Sequence, residues 1–131
     1  MKKKEKSFLA INYGKKKVII SNLKKLNDLG KFTGLMFRSM KTKNLLFDFN
    51  REVSISIHSL FVFFPFLAIW LDSRNRVVEF KVVPPFLFYV LPQEKFRKLI
   101  EVPLNRENSK IIELFVGRKG LNIKTGKYIH K

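Results

Sequence analysis

Phe66-Leu67-Ala68-Ile69-Trp70-Leu71, Asp72-Ser73-Arg74-Asn75 and Arg76-Val77-Val78-Glu79-Phe80-Lys81-Val82-Val83 form the stretch on which the fold turns. Two runs rich in β-branched and aromatic residues flank four residues that include Asp, Ser and Asn, whose side chains bond their own backbone and so make turns. The pattern predicts a β-hairpin over Phe66–Leu71 and Arg76–Val83. Pro84-Pro85 stops the second strand, because proline has no N–H to give to a ladder.

Working upstream, Val53 to Leu71 carries no formal charge and is nearly long enough to span a bilayer. Its composition argues for strands instead. Ser54, Ser56 and His58 alternate with Val53, Ile55 and Ile57, the period of a strand. Pro65 would break the hydrogen bonds of a helix, and Phe61, Val62, Phe63, Phe64 and Phe66 are strand formers. A strand is therefore predicted over Arg51–Leu60, alternating first and buried on both faces later. Another is predicted over Leu45–Phe49. Phe8–Tyr13 and Lys17–Ser21 read as a hairpin about Gly14-Lys15-Lys16. Asn22–Leu29 reads as a short helix, with Asn22 as N-cap, Leu23, Leu26 and Leu29 three apart, and Gly30 at its end.

Downstream, Phe86–Leu91 and Lys98–Val102 are predicted strands, the latter closed by Pro103. Asn108–Val116 is a predicted helix ended by Gly117, and a last short strand is predicted over Lys127–His130. With no internal repeat and no Ser/Gly linker, the chain reads as one domain over residues 1–131, mainly β, with residues 1–7 as a flexible basic tail. The spacing predicts a sandwich or barrel with one or two short helices.

The 131 residues hold 27 Lys plus Arg against 10 Asp plus Glu, a formal charge of +17. Such a charge attracts polyanions at long range, meaning nucleic acid or an anionic membrane surface. The abundance of Lys, Asn, Ile and Phe also fits an AT-rich coding bias, under which the charge has no function. Zero cysteines exclude a disulfide scaffold, thiolate metal ligands and a cysteine nucleophile. The basic opening Met1–Lys6 is followed by only a short apolar run, Phe8–Ile11, too short for a secretory signal. The expectation is a cytoplasmic protein with no transmembrane segment.

Gly34-Leu35-Met36-Phe37-Arg38 resembles the signature of uncharacterised protein family 0127, also called domain of unknown function 192. Leu45-Leu46-Phe47 follows in family-like order. So do Ile57-His58, then Phe63-Phe64-Pro65 and Trp70-Leu71-Asp72, in the form associated with archaeal members. Val77-Val78, Pro85, Tyr89 and Ile100-Glu101-Val102-Pro103 continue the match. The resemblance implies a compact, jelly-roll-like β-sandwich or barrel and no known reaction. The chain departs from the family at Leu67, where relatives place an acid, and at Leu60-Phe61-Val62, where many carry Lys-Asn-Thr.

The inventory of reactive groups is small. His58 and His130 are the two histidines, no nucleophile elbow occurs, and the ten acids are scattered, so no catalytic residue, metal or cofactor is predicted. Asp48 and Glu52 are expected to flank a solvated turn beside Arg51. Gly117-Arg118-Lys119-Gly120 has the logic of a KH-type phosphate loop but too little chain after it for that module. It is kept as a basic turn. Candidate polyanion contacts are Lys15, Lys16, Lys17, Lys24, Lys25, Arg118 and Lys119, with Tyr13 and Tyr128 as stacking platforms. Arg38 and His58 are candidate ligand-binding residues, although Arg38 first suggests a structural bond to carbonyls near the Gly34 turn. Three functions compete: a non-enzymatic binding module for polyanions such as RNA, a peripheral membrane protein, and a small-ligand or enzymatic pocket around Arg38 and His58.

Overall fold

The computed structural model describes residues 7–26, 35, 38–59, 62–87 and 90–117, and the backbone of 121–122 and 127–128. Strands β1 (Leu9–Tyr13) and β2 (Lys16–Ile20) form a hairpin. Gly14 supplies its turn with a φ of +60°, a conformation open to glycine at no steric cost. Then come β3 (Leu23–Lys25), β4 (Asn44–Val53), β5 (Phe66–Leu71), β6 (Val77–Val83) and β7 (Phe96–Pro103). A single 3₁₀ turn (Arg106–Asn108) leads into helix α1 (Ser109–Val116), and β8 (Leu121–Asn122) pairs with β9 (Lys127–Tyr128).

The main sheet has the order β3-β4-β7-β5-β6, antiparallel except for the parallel β3–β4 pair. Every residue of β5 is buried, which is why its sequence is a continuous apolar run. Phe66, Ala68 and Trp70 enter one core, Leu67, Ile69 and Leu71 the other. Burial on both faces requires a cover on each side. The β1–β2 hairpin and α1 supply one, through Ile11, Val18, Ile20, Ile112 and Phe115. On the opposite face the core takes in Leu26, Leu35, Val62, Phe64 and Val90, none of which lies in a strand. The arrangement is a sandwich-like β fold whose sheets do not close into a barrel.

Three predicted elements differ from the structure. Asn22–Leu29 is not a helix over its described residues: Leu23–Lys25 is an edge strand, and Asn22 has a φ of +53°. Three-residue apolar spacing also suits a strand that sends Leu23 to one core and Leu26 to the other. Asn27 to Gly30 lie outside the described residues. The Arg51–Leu60 strand ends early, because β4 runs only to Val53, whose partner Phe96 is the first residue of β7. Beyond it Ser54, Ile55 and Ser56 are exposed, and Ile57 makes one lone bridge to Val90. That bridge is also all that the Phe86–Leu91 strand becomes among the described residues.

Asp48 and Glu52 flank no turn. Both lie in β4, where Asn50 at φ +61° accompanies a shift of register between Asp48 and Val53. Burial alone would raise the Asp48 carboxyl. The Asn50 N–H at 2.8 Å, the Arg97 guanidinium at 3.4 Å and the Lys98 charge outweigh it and hold the group below the usual carboxylate range. Asp72 behaves alike: desolvation is outweighed by the N–H groups of Arg76 and Arg74 and by the Arg76 side chain at 2.7 Å.

Three buried asparagines tie the end of β7 to the start of β4. Asn44 donates to the Ser21 carbonyl at 2.8 Å and to Asn108 Oδ1 at 3.0 Å. Asn108 donates to the Pro103 carbonyl at 2.8 Å, and its N–H donates to Asn105 Oδ1 at 3.0 Å. Asn105 in turn donates to the Met40 carbonyl at 2.8 Å. Asn108→Ala is expected to lower stability by about 1–3 kcal/mol in urea unfolding, since it leaves the Pro103 carbonyl and the Asn44 amide buried without that partner.

Glu101 lies opposite Leu45 and Ala68 in the ladder, buried, with no hydrogen bond or ion pair among the described residues. Desolvation pushes its carboxyl from 4.5 up to about 8. Between those values the folded state holds a proton that the unfolded state has lost, so stability is full below pH 4.5 and falls as pH rises to about 8. Asp48 and Asp72 act in the opposite sense, losing their contribution only as pH falls through the acid range. The urea midpoint should therefore drop from pH 5 to pH 8, by the equivalent of about 3–4 kcal/mol, and Glu101→Gln should abolish that drop. A wild-type midpoint that is flat or rises over this interval would sink the assignment.

Candidate functional site

The β1–β2 hairpin is amphipathic by its two-residue period. Ile11, Val18 and Ile20 point into the core, leaving Lys15, Lys16 and Lys17 exposed at its turn end. Helix α1 buries Ile112 and Phe115 and presents Lys110 on its outer side. Where hairpin and helix meet there is an open cleft of about 450 Å³, with Lys16, Lys17 and Lys110 around Val18, Ile111 and Leu114. No acidic side chain among the described residues lines it. The hairpin end is fixed from inside: Tyr13 stacks on Phe115 with ring centroids 4.6 Å apart and meets Phe80 edge-on at 5.8 Å. Tyr13 is thus half-buried and packed against the core through these two rings.

Of the other predicted contacts, Lys24 and Lys25 are exposed on edge strand β3 and do not line this cleft. Arg118 and Lys119 lie outside the described residues, as does His130, and the side chain of Tyr128 is not described. Arg38 is half-buried, with its N–H on the Leu35 carbonyl at 3.0 Å. His58 is also half-buried, and both residues interact with the rest of the protein. Neither lines this cleft or the smaller one below. Among the described residues no group of three His, Asp or Glu is placed to hold a metal ion. None of their helices is long and apolar enough to cross a membrane.

Ser59 organises a second feature, on the loop-covered face. Its N–H donates to the Leu87 carbonyl and its carbonyl accepts from the Phe86 N–H, each at 2.8 Å. Its hydroxyl donates to the Pro84 carbonyl and accepts from the Leu87 N–H, each at 2.7 Å. These four bonds clamp residues 84–87 while Phe86 sits at a φ of +63°, which for a bulky residue costs roughly 1–3 kcal/mol. The strained residue points outward. Phe86 is 53% exposed and Phe63 61%, their rings meeting edge-on at 5.4 Å, with Leu87 37% exposed alongside. Sequence reading had no signal for Ser59, because its partners lie 25 and 28 residues away. Beside this tip, Leu87 and Lys81 share a cleft of about 310 Å³ with Val83, Val90 and Leu91. Among the described residues Lys81 pairs with Glu79, at 4.0 Å.

Comparison with known proteins places the chain. The family model DUF192 (uncharacterized ACR) matches residues 26–127. A UPF0127 protein of Thermococcus gammatolerans is 37% identical over 76 residues, covering 56% of this chain and 49% of that protein. One from Pyrococcus furiosus is 31% identical over 78 residues, covering 59% and 66%. The match thus spans about half to two-thirds of the length of these curated relatives. Among solved structures, a protein of unknown function from Novosphingobium aromaticivorans superposes with a TM-score of 0.61 at 14% identity, covering 79% of this chain and 76% of that one. A candidate transcription regulator from Sinorhizobium meliloti gives 0.59 at 16%, covering 76% and 84%. At these identities the likeness is one of fold. The chain belongs to the uncharacterised family DUF192, which its relatives carry under the name UPF0127.

Proposed function

We propose that this protein is a small non-enzymatic binding module that associates with polyanions, RNA first among them, through the lysine cleft between β2 and α1. The observation that carries the reading is the convergence of Lys16 and Lys17 from the hairpin with Lys110 from the helix, with no acid among them. Like charges held together on a folded scaffold repel one another, and a phosphate backbone relieves that repulsion while releasing its own counterions. Lysine, a compact point charge, suits sequence-independent phosphate contact better than base reading. The net charge of +17 adds long-range attraction, and a cytoplasmic setting is part of the proposal. The likeness to a candidate transcription regulator extends to the fold and leaves the ligand's identity to experiment.

Fluorescence anisotropy of a labelled single-stranded RNA, titrated over a range of salt, tests this. The wild-type affinity should fall steeply on a log–log plot. The triple variant Lys16→Gln, Lys17→Gln, Lys110→Gln should flatten the slope by about 2, for three phosphate contacts on a single strand. An unchanged slope and affinity in the variant would remove the cleft from the binding surface.

A further inference from the structure

The Phe63–Phe86 tip is unlike the rest of the molecule. Charged residues make up 28% of the chain, yet none falls within 53–71 or 82–93, the two segments that meet at the tip. A solvated loop has no need of two exposed phenylalanines, and a φ of +63° is better met by glycine or asparagine. Ser59 removes the flexibility through which the loop would otherwise relieve that strain. The result is a rigid apolar point aimed at solvent.

We propose that this tip is a membrane-docking point, inserting Phe63, Phe86 and Leu87 into the interface of an anionic bilayer. Size and charge select the occupant. The three side chains expose roughly 300 Å² of apolar surface, well short of the roughly 800 Å² per partner of a stable protein interface. A bilayer asks for less: a few apolar side chains at the headgroup boundary, with cations to meet anionic lipid. Lys81 lines the cleft next to Leu87 and is loosely paired, so a cation stands on the rim where a lipid phosphate would lie. Phe63, Phe86 and Leu87 carry no charge, so they enter the interface without stripping water from an ion. The tip is on the loop-covered face, away from the lysine cleft on the hairpin–helix face, so the two surfaces work independently.

The test is co-sedimentation with vesicles of phosphatidylglycerol and phosphatidylcholine, comparing wild type, Phe86→Gly and Phe63→Ser. Phe86→Gly suits the backbone at that position, so its melting midpoint should hold or rise while vesicle partitioning falls about ten-fold. Phe63→Ser should lose a similar factor, and both should keep wild-type RNA binding, which separates this site from the lysine cleft. Vesicles of phosphatidylcholine alone should bind the wild type far more weakly. Equal partitioning of all three proteins would overturn the proposal. So would absence of vesicle binding together with wild-type self-association that Phe86→Gly abolishes, because the tip would then be an interface between copies.

Discussion

Everything in this structure depends on the burial of β5 on both faces. A six-residue strand that is apolar throughout cannot be left half-covered. The sheet it shares with β7 is therefore sandwiched between a regular cover, the β1–β2 hairpin with α1, and an irregular one. The regular cover meets most of its hydrogen-bonding needs through its ladder and helix. The irregular cover has no such ladder, and backbone groups buried without partners are costly. Ser59 meets part of that need, because one buried residue serves the backbone of the 84–87 loop through both its main chain and its hydroxyl.

What could be read from the sequence follows from how local each determinant is. The β5–β6 hairpin carries its own evidence: β-branched and aromatic residues and an Asp-Ser-Arg-Asn turn lie within eighteen residues. Helix α1 was legible for the same reason, with Gly117 closing it by an N–H bond to the Glu113 carbonyl at 2.9 Å. Leu23–Lys25 was not, because what makes it a strand is parallel pairing with β4, some twenty residues later. Phe86–Leu91 has the composition of a strand, yet its described residues form only the Val90 bridge to Ile57, a fact that lives in the tertiary structure.

The same rule governs the candidate site. Lys16 and Lys17 stand out in sequence as a hairpin cluster, but Lys110 is an ordinary helix-surface lysine until α1 docks beside β2. Glu101 reads as one of ten scattered acids, and only the ladder shows it between Leu45 and Ala68 on a buried face. For Tyr13, the neighbouring lysines suggested a stacking platform, and the structure adds that its half-buried ring rests against Phe80 and Phe115.

The two faces of the sheet also divide the chemistry. On the hairpin–helix side the backbone is regular, so long lysine side chains can project from it with their stems over apolar neighbours. On the loop side an unbroken run of uncharged residues is required, because these segments both pack against the sheet and form the outer surface. A charge placed among them would be desolvated whenever the tip met an apolar surface, and one placed inward would enter the core. Exclusion of charge from residues 53–71 and 82–93 satisfies both demands at once. Packing against the core accounts for Val62, Phe64 and Val90, which are buried. It does not account for Phe63 and Phe86, which lie in the same segments and contribute nothing to that core. Their exposure, held at Phe86 in a backbone conformation unfavourable to a bulky side chain, is the property of this face that packing leaves over.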